Sequence, residues 1–566
     1  MAHSILAINP GHNGSVALVV DGKIEFYSEE ERFSRVKYDG NPFRGMIHVL
    51  QNHYVDELII GGTRIDTHEL PWSMEDAYTA LARKFNPNIK TTKMGHLHHL
   101  GHAAATFYGS GFESAVAIVV DGCGSYHKEP MGEGLPEVCG FETETIYHCS
   151  YPHEFNAVYK RYSDGVNPYY DNGLQEFDNS VTITKAYEAV TQYLGFHAIE
   201  AGKTMGIAPY GQYDENIPKF FINGKGNKNL LIPNYPASAF IDQQRNPYLM
   251  TFVNPGEWHT DPLLVRDVDK NIAWHIQNET EEQMYSLIQK AIDITGENNI
   301  VISGGFGLNC VANYKYLKKF PGVNFYIDPV SHDGGTAIGL ARYAWYYYSK
   351  EVEPKQLSTV YLGTLPDYNQ LESLEQQNLI EVNATTAEQI ADLIIDGNIV
   401  SIFQGRAEGG PRALGNRSIV FDPRNPNGKD IVNEVKRREW FRPFAGSCLE
   451  EHANEWFDMA GLTSSPYMMY AVDVRPEKLE QVPAITHVDN TCRVQTVNRE
   501  QNQYYYELIN KFYEKTGVPV LFNTSFNLAG DPLVETIIDA AVTLLRSDIK
   551  YLYLPEIGKL VTKKSQ

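Results

Sequence analysis

At 566 residues the chain is too long for one ordinary core, so two or more domains are expected. Its 43% hydrophobic and 21% charged content excludes a disordered chain, and a formal charge of -22 argues against broad affinity for a phosphate backbone. The opening MAHSILAINPGHNGS lacks the basic and apolar regions of a signal peptide, and no apolar run reaches bilayer length, so a cytoplasmic location with no membrane partner is expected. The six scattered cysteines form no CxxC pair and fit free thiols in a reducing compartment.

In chain order, the first element predicted is a hairpin: strand Ser4–Ile8, a Gly-rich reversal, strand Val16–Val20, the Asp21-Gly22 turn and strand Lys23–Tyr27. A similar unit is predicted at Ala115–Val120 with the turn Asp121-Gly122-Cys123-Gly124, which suggests a duplicated α/β fold built around a nucleotide. A third apolar strand, Asn299–Ser303, runs into Gly304-Gly305, and Asp333-Gly334-Gly335 opens the small-residue helix Thr336–Tyr343. Ser349–Tyr368 is polar with two prolines and reads as a linker. Beyond it, an amphipathic helix from Thr386 to Ile395, a Gly397 stop and the strand Ile399–Phe403 begin a second α/β region.

Three sets of residues carry chemistry. His98 and His102, in His98-His99-Leu100-Gly101-His102, share one helix face and suit one metal ion; Asp333 is the favoured third ligand. The two glycine loops each follow an apolar strand and open a helix, where backbone N–H groups can approach a phosphate; simple turn geometry explains either loop alone equally well. Downstream lie Gln404–Ser418, with three arginines among glycines, and Lys436–Phe444, a second cationic run. Arg493 and the Asn523-Thr524-Ser525-Phe526-Asn527 element add further polar groups, and together these predict a basic pocket for a polyanion.

The HHxxH run and, downstream of it, the GPRALGNRS, KRREWFRPF and NTSFN runs occur in the family's order and together resemble the O-carbamoyltransferases of the NodU/CmcH type, across nearly the whole chain. The resemblance implies an actin-like (ASKHA) duplicated α/β domain over 1–355, similar to the tRNA threonylcarbamoyl transferases, and a YrdC-like α/β domain over 356–566. It implies a first step in which carbamoyl phosphate and ATP (with Mg2+) give carbamoyl-adenylate. Arg412, Lys436 and Arg442 would act on the reacting groups, and Arg417, Arg438, Ser525 and Asn527, with Arg493 added, would bind substrate. It implies a second step in which a hydroxyl of a sugar or natural-product precursor attacks the carbamoyl carbon and displaces AMP. There His98, His102 and Asp333 would hold a divalent metal, iron(II) by the resemblance, and Lys203, Gly304, Gly305, Asn309, Asn313 and Gly335 would line the nucleotide.

One departure stands out. The family's first turn reads His-Asp-Ala-Ser, whereas this chain has His12-Asn13-Gly14-Ser15. Asn cannot serve as a general base, so either that task falls to His12 or Asp121, or the altered turn only reshapes the acceptor pocket. An actin-like kinase or ATPase is the first rival, distinguished by ADP as its product. The second places the acceptor hydroxyl on a hydroxymethylated nucleotide or DNA base. A homodimer is one assembly the sequence allows.

Overall fold

The computed structural model describes residues 3–63, 76–131, 137–166, 168–246, 249 and 265–564. The protein is mixed α/β and divides into two compact units. The first comprises residues 1–30 and 38–358, and the second comprises Glu31–Lys37 with Thr359–Gln566.

The first unit contains two sheets that repeat one topology. In the first sheet β1 (Ser4–Asn9), β2 (Ser15–Val20), β3 (Lys23–Glu29), β4 (Glu57–Ile60) and β5 (Lys90–Lys93) lie in the order β3-β2-β1-β4-β5. The β1–β2–β3 pairs are antiparallel, while β4 and β5 are parallel additions. Helix α1 (His98–Ser110) follows β5.

The second sheet uses β6 (Ser114–Val120), β7 (Tyr126–Pro130), β8 (Glu137–Ser150), β9 (Glu154–Ser163), β10 (Tyr170–Asp171), β11 (Gln175–Asp178), β12 (Asn299–Ser303) and β13 (Asn324–Ile327). Its central path β9-β8-β6-β12-β13 has the same sequence of two antiparallel and two parallel pairings. Helix α2 (Asp267–Thr295) precedes β12, α3 (Cys310–Lys319) follows it, and α4 (Gly335–Ser349) follows β13 as α1 follows β5. The central strands β1 and β6 are buried on both faces, which is why they read as continuous apolar runs.

The predicted second hairpin differs in one respect. Asp121–Gly124 does not turn β6 back onto its immediate successor, because Asp121 N–H donates to Thr143 O (2.9 Å) and Gly124 N–H to Glu142 O (2.7 Å). The loop thereby runs alongside β8, which is the true antiparallel partner of β6, and β7 pairs only with β8.

Helices α1 and α4 cross at glycines. A Cβ on Gly339 would lie 1.8 Å from the Gly101 carbonyl oxygen, so only the absence of a side chain allows this approach.

The second unit is built on a ten-stranded sheet. Its strands are β14 (Ile380–Ala384), β15 (Val400–Phe403), β16 (Arg417–Phe421), β17 (Ala445–Leu449), β18 (Phe457–Asp458), β19 (Ala471–Val474), β20 (Thr491–Val497), β21 (Val520–Ser525), β22 (Tyr551–Leu554) and β23 (Lys559–Lys563). Their order is β14-β23-β22-β15-β16-β21-β17-β20-β19-β18, with β15–β22 and β17–β20 parallel and the rest antiparallel. Helix α5 (Ala387–Ile395) starts at Thr386, whose hydroxyl accepts from Gln389 N–H while Gln389 reaches back to the Thr386 N–H. Gly397, at φ +82°, follows the helix as the sequence predicts. Helix α6 (Gly428–Lys436) delivers Lys436 to the sheet. All six cysteines are free, and among the described residues no helix is long and apolar enough to cross a membrane.

Candidate metal centre and anion site

The pairing of α1 against α4 brings the predicted ligands together. His98, His102, Asp121 and Asp333 are all buried, and one ligand atom from each lies within 4.8 Å of the others. His98 Nε2 sits 3.3 Å from Asp121 Oδ2 and 3.8 Å from Asp333 Oδ1; His102 Nε2 lies 3.7 Å from the same Asp333 oxygen. The far ring nitrogens are held by hydroxyls, His98 Nδ1 by Thr63 Oγ1 (3.5 Å) and His102 Nδ1 by Ser303 Oγ (3.3 Å). His99 turns away to Thr145 Oγ1 (2.7 Å), and burial pushes its pKa down to about 3, so it is neutral and outside the cluster. His96 is exposed.

These residues fit a divalent cation. Two buried carboxylates face two imidazoles, and the buried His102 Nε2 makes no hydrogen bond. Burial opposes charge on His98, but Asp333 and the hydrogen bond to Asp121 outweigh it and raise its pKa to about 9. Burial likewise opposes charge on Asp333, which His12 and His98 nevertheless hold down at about 2. An all-nitrogen-and-oxygen donor set of this kind suits iron, manganese or zinc.

Asp121, expected among the catalytic residues, sits inside this cluster. Its Oδ2 faces His98 and its Oδ1 accepts from the Gly305 N–H (3.0 Å), so both oxygens are engaged. His12 Nε2 lies 3.3 Å from Asp333 Oδ2 with a side chain 58% exposed. In this turn Asn13 has φ +59°, which Asp would also tolerate, while a Cβ on Gly14 would lie 2.8 Å from the Asp39 carbonyl oxygen. A loop packed this closely accepts glycine and not alanine.

The residues predicted to line a nucleotide divide. Gly304, at φ +90°, lets its strand end meet β6, since a Cβ there would stand 2.3 Å from Val120 O. Gly335 similarly passes within 2.1 Å, Cβ to oxygen, of Val330 O. Asn309 caps α3 through Ala312 N–H (3.1 Å) and exchanges amide hydrogen bonds with Gln277 (3.1 and 3.2 Å). Asn313 Nδ2 donates to Gly307 O (2.8 Å), and Lys203 pairs with Glu200 (2.9 Å). Asn309 and Asn313 thus shape the loop after β12, while Gly305 fixes Asp121.

In the second unit, Lys436 Nζ donates to the Ser525 carbonyl, to Ser525 Oγ (3.3 Å) and to Asn527 Oδ1 (3.0 Å). Arg438 donates to Thr524 Oγ1 (3.3 Å) and stacks over Phe444. Burial, then the charges of Arg438 and Arg442, pushes the Lys436 pKa well below the usual lysine range. Burial and Arg442, with a contribution from Arg493, do the same to Arg438. Arg442 itself pairs with Glu439 (3.5 Å). Arg412 is half-buried on the preceding loop, which Asn523 Nδ2 seats against β21 through the Ala413 carbonyl (3.2 Å).

Arg417 is not in this group. Its side chain is fully buried, and its guanidinium donates to the carbonyls of Gln404, Gly405, Asn416 and Glu535 while stacking 3.8 Å over Phe403. It lies on β16 and organises the glycine loop through these carbonyls.

Glu408 is the residue that sequence reasoning passed over. Buried to 2% exposure, its Oε1 accepts from the N–H groups of Leu414 (2.8 Å), Asn416 (2.8 Å) and Arg417 (3.0 Å). A lone acid among three arginines reads as a surface counter-ion. Only the fold shows it as the anchor of the loop.

Comparison with known proteins assigns both halves. The Carbamoyltransferase N-terminus profile matches residues 72–342, and the Carbamoyltransferase C-terminus profile matches 391–563. Nodulation protein NolNO of Sinorhizobium fredii is 30% identical, spanning 98% of this chain and 79% of that protein. Nodulation protein NolO of Bradyrhizobium diazoefficiens is 32% identical over 82% of this chain and 78% of its own length. Among solved structures, full-length HypF in its phosphate- and nucleotide-bound form aligns at 15% identity and a TM-score of 0.34, over 61% of this chain and 46% of that one. By the family profiles and the NolO-type relatives, this chain belongs to the carbamoyltransferase family and is a carbamoyl-transferring enzyme.

Proposed function

We propose that the protein is an ATP-dependent O-carbamoyltransferase with an actin-like first unit and a YrdC-like second unit. The observation that carries this reading is the Lys436–Arg438 cluster. Buried Lys436 and half-buried Arg438, each with its pKa pushed down and with Arg442 and Arg493 beside them, are costly unless a polyanion arrives to share the charge.

In the second unit, carbamoyl phosphate and water give carbamate and phosphate. A carbamate oxygen then attacks the α-phosphorus of ATP, brought with Mg2+, and pyrophosphate leaves. Lys436, Arg438, Arg442 and Arg493, with Arg412 from the glycine loop, neutralise phosphate oxygens, while Ser525 and Asn527 hold Lys436 in place.

In the first unit, the acceptor hydroxyl attacks the carbamoyl carbon of the adenylate, the C–O bond to AMP breaks, and the hydroxyl proton passes to a base. His12 in its neutral form is that base, made more basic by Asp333 beside it, because Asp121 is committed to His98 and Gly305. Lys203 and the Gly304, Gly305 and Gly335 backbones face the nucleotide, with Asn309 and Asn313 supporting the loop. A divalent ion held by His98, His102, Asp121 and Asp333, iron(II) by the family resemblance, would supply Lewis-acid polarisation of the carbamoyl carbonyl. The acceptor is a small hydroxyl compound such as a sugar.

Incubation with ATP and carbamoyl phosphate, without acceptor, tests the reading. Pyrophosphate that depends on carbamoyl phosphate is expected. ADP formation indifferent to carbamoyl phosphate would overturn it in favour of a kinase or ATPase.

A further inference from the structure

The second unit is made of two pieces of chain, and the shorter one, Glu31–Lys37, meets both loops that carry the anion-binding groups. Arg32 is 3% exposed, and its Nη2 donates to the Gly410 carbonyl (2.8 Å), two residues before Arg412. Arg35 spans two successive carbonyls, Nη1 to Leu533 O (2.7 Å) and Nη2 to Pro532 O (2.9 Å), with Nε 3.5 Å from Asp539. The residue before Pro532 is Asp531, whose carbonyl accepts from Asn527 Nδ2 (2.6 Å), and Asn527 Oδ1 accepts from Lys436 (3.0 Å).

We propose that Arg32 and Arg35 are positioning residues of the anion site, Arg32 fixing the loop of Arg412 and Arg35 fixing the loop that orders Asn527 and Lys436. The inference rests on the proposed adenylate-forming role of this unit. Neither arginine touches the reacting groups; each acts through backbone carbonyls. A planar guanidinium can hold two adjacent carbonyls at once, which an ammonium cannot do in one geometry. The Glu31–Lys37 stretch is itself braced, since Arg35 N–H donates to Glu31 O (3.0 Å) and Lys37 pairs with Glu31 (2.8 Å). The carbamoyl-phosphate site is thus completed by residues that lie more than three hundred positions upstream of the loops they hold.

The test uses full-length Arg32→Lys, Arg35→Lys and Arg35→Ala, each assayed for carbamoyl-phosphate-dependent pyrophosphate formation, with KM and kcat referred to folded protein by thermal unfolding. The expected result is a fall of roughly 10- to 100-fold in kcat/KM for Arg35→Ala, in line with what small misplacement costs. The KM for carbamoyl phosphate should rise, and Arg35→Lys should recover only part of the loss. If Arg35→Ala fails to fold, the two lysine variants decide, because they retain charge and size. Wild-type KM and kcat per folded molecule in the variants would overturn the inference alone. A wild-type protein that forms no pyrophosphate would overturn the function reading, and this inference with it.

Discussion

Gly101 and Gly339 meet backbone to backbone: a Cβ on Gly339 would stand 1.8 Å from the Gly101 carbonyl oxygen. That contact sets the distance between the helix bearing His98 and His102 and the helix opened by Asp333. Gly339→Ala should therefore push the helices apart, destabilising the protein by about 1–3 kcal/mol or more. Metal analysis beside thermal unfolding should show a lowered ion content in the protein that still folds.

Removing a ligand acts without moving the helices. His102→Ala and Asp121→Asn should each lose bound iron or cobalt on anaerobic dialysis, read by elemental analysis. Chelation of the wild type should lower its melting temperature, since an ion present at about 100 times its Kd adds about 2.7 kcal/mol. The same chelator should leave His102→Ala unshifted.

Lys436→Met separates function from stability. It should abolish carbamoyl-phosphate-dependent pyrophosphate formation while holding or raising the melting temperature near neutral pH, because a buried uncompensated charge is removed. The folded pKa of Lys436 lies below its ordinary value of 10.5, so between the two the unfolded chain binds more protons. Wild-type stability rises with pH through that window, and the difference from Lys436→Met should narrow as pH climbs. Unfolding curves of both proteins at several pH values read this directly.

Glu408→Ala leaves three buried N–H groups of the glycine loop without their acceptor. Each orphaned donor costs about 1–3 kcal/mol. A large fall in melting temperature is expected, with first-step activity lost in whatever remains folded. Glu408→Gln keeps an acceptor oxygen in place and should fall between the alanine variant and wild type in both measurements.

Much of the framework was legible because it depends on local pattern. Continuous apolar runs gave the strands at Ser4–Asn9, Ser114–Val120 and Asn299–Ser303, and Thr386 with Gly397 bracketed a helix. The His98/His102 spacing and Asp333 were visible as chemistry, and the fold places them together. Three things were hidden. Arg417 looked like its neighbours, yet strand alternation turns it inward, and alternation within a Gly-rich loop cannot be phased from sequence. The Asp121 turn resembled a hairpin because its retaining bonds to Thr143 and Glu142 come from a strand that starts sixteen residues later. Arg32 and Arg35 sit in an unremarkable run, EERFSRVK, and their partners are reached only through tertiary packing.

The repeated topology divides the candidate ligands by chemistry. The first repeat, β1 through α1, contributes only imidazoles (His98, His102), and the second, β6 through α4, contributes only carboxylates (Asp121, Asp333). Neither repeat alone can form the donor set. An ion in the cleft would act as a rivet, and its retention would report that two separately ordered sheets have closed in register. A chain cut between Ser110 and Ser114 should thus reassemble more tightly in the presence of the metal than in its absence.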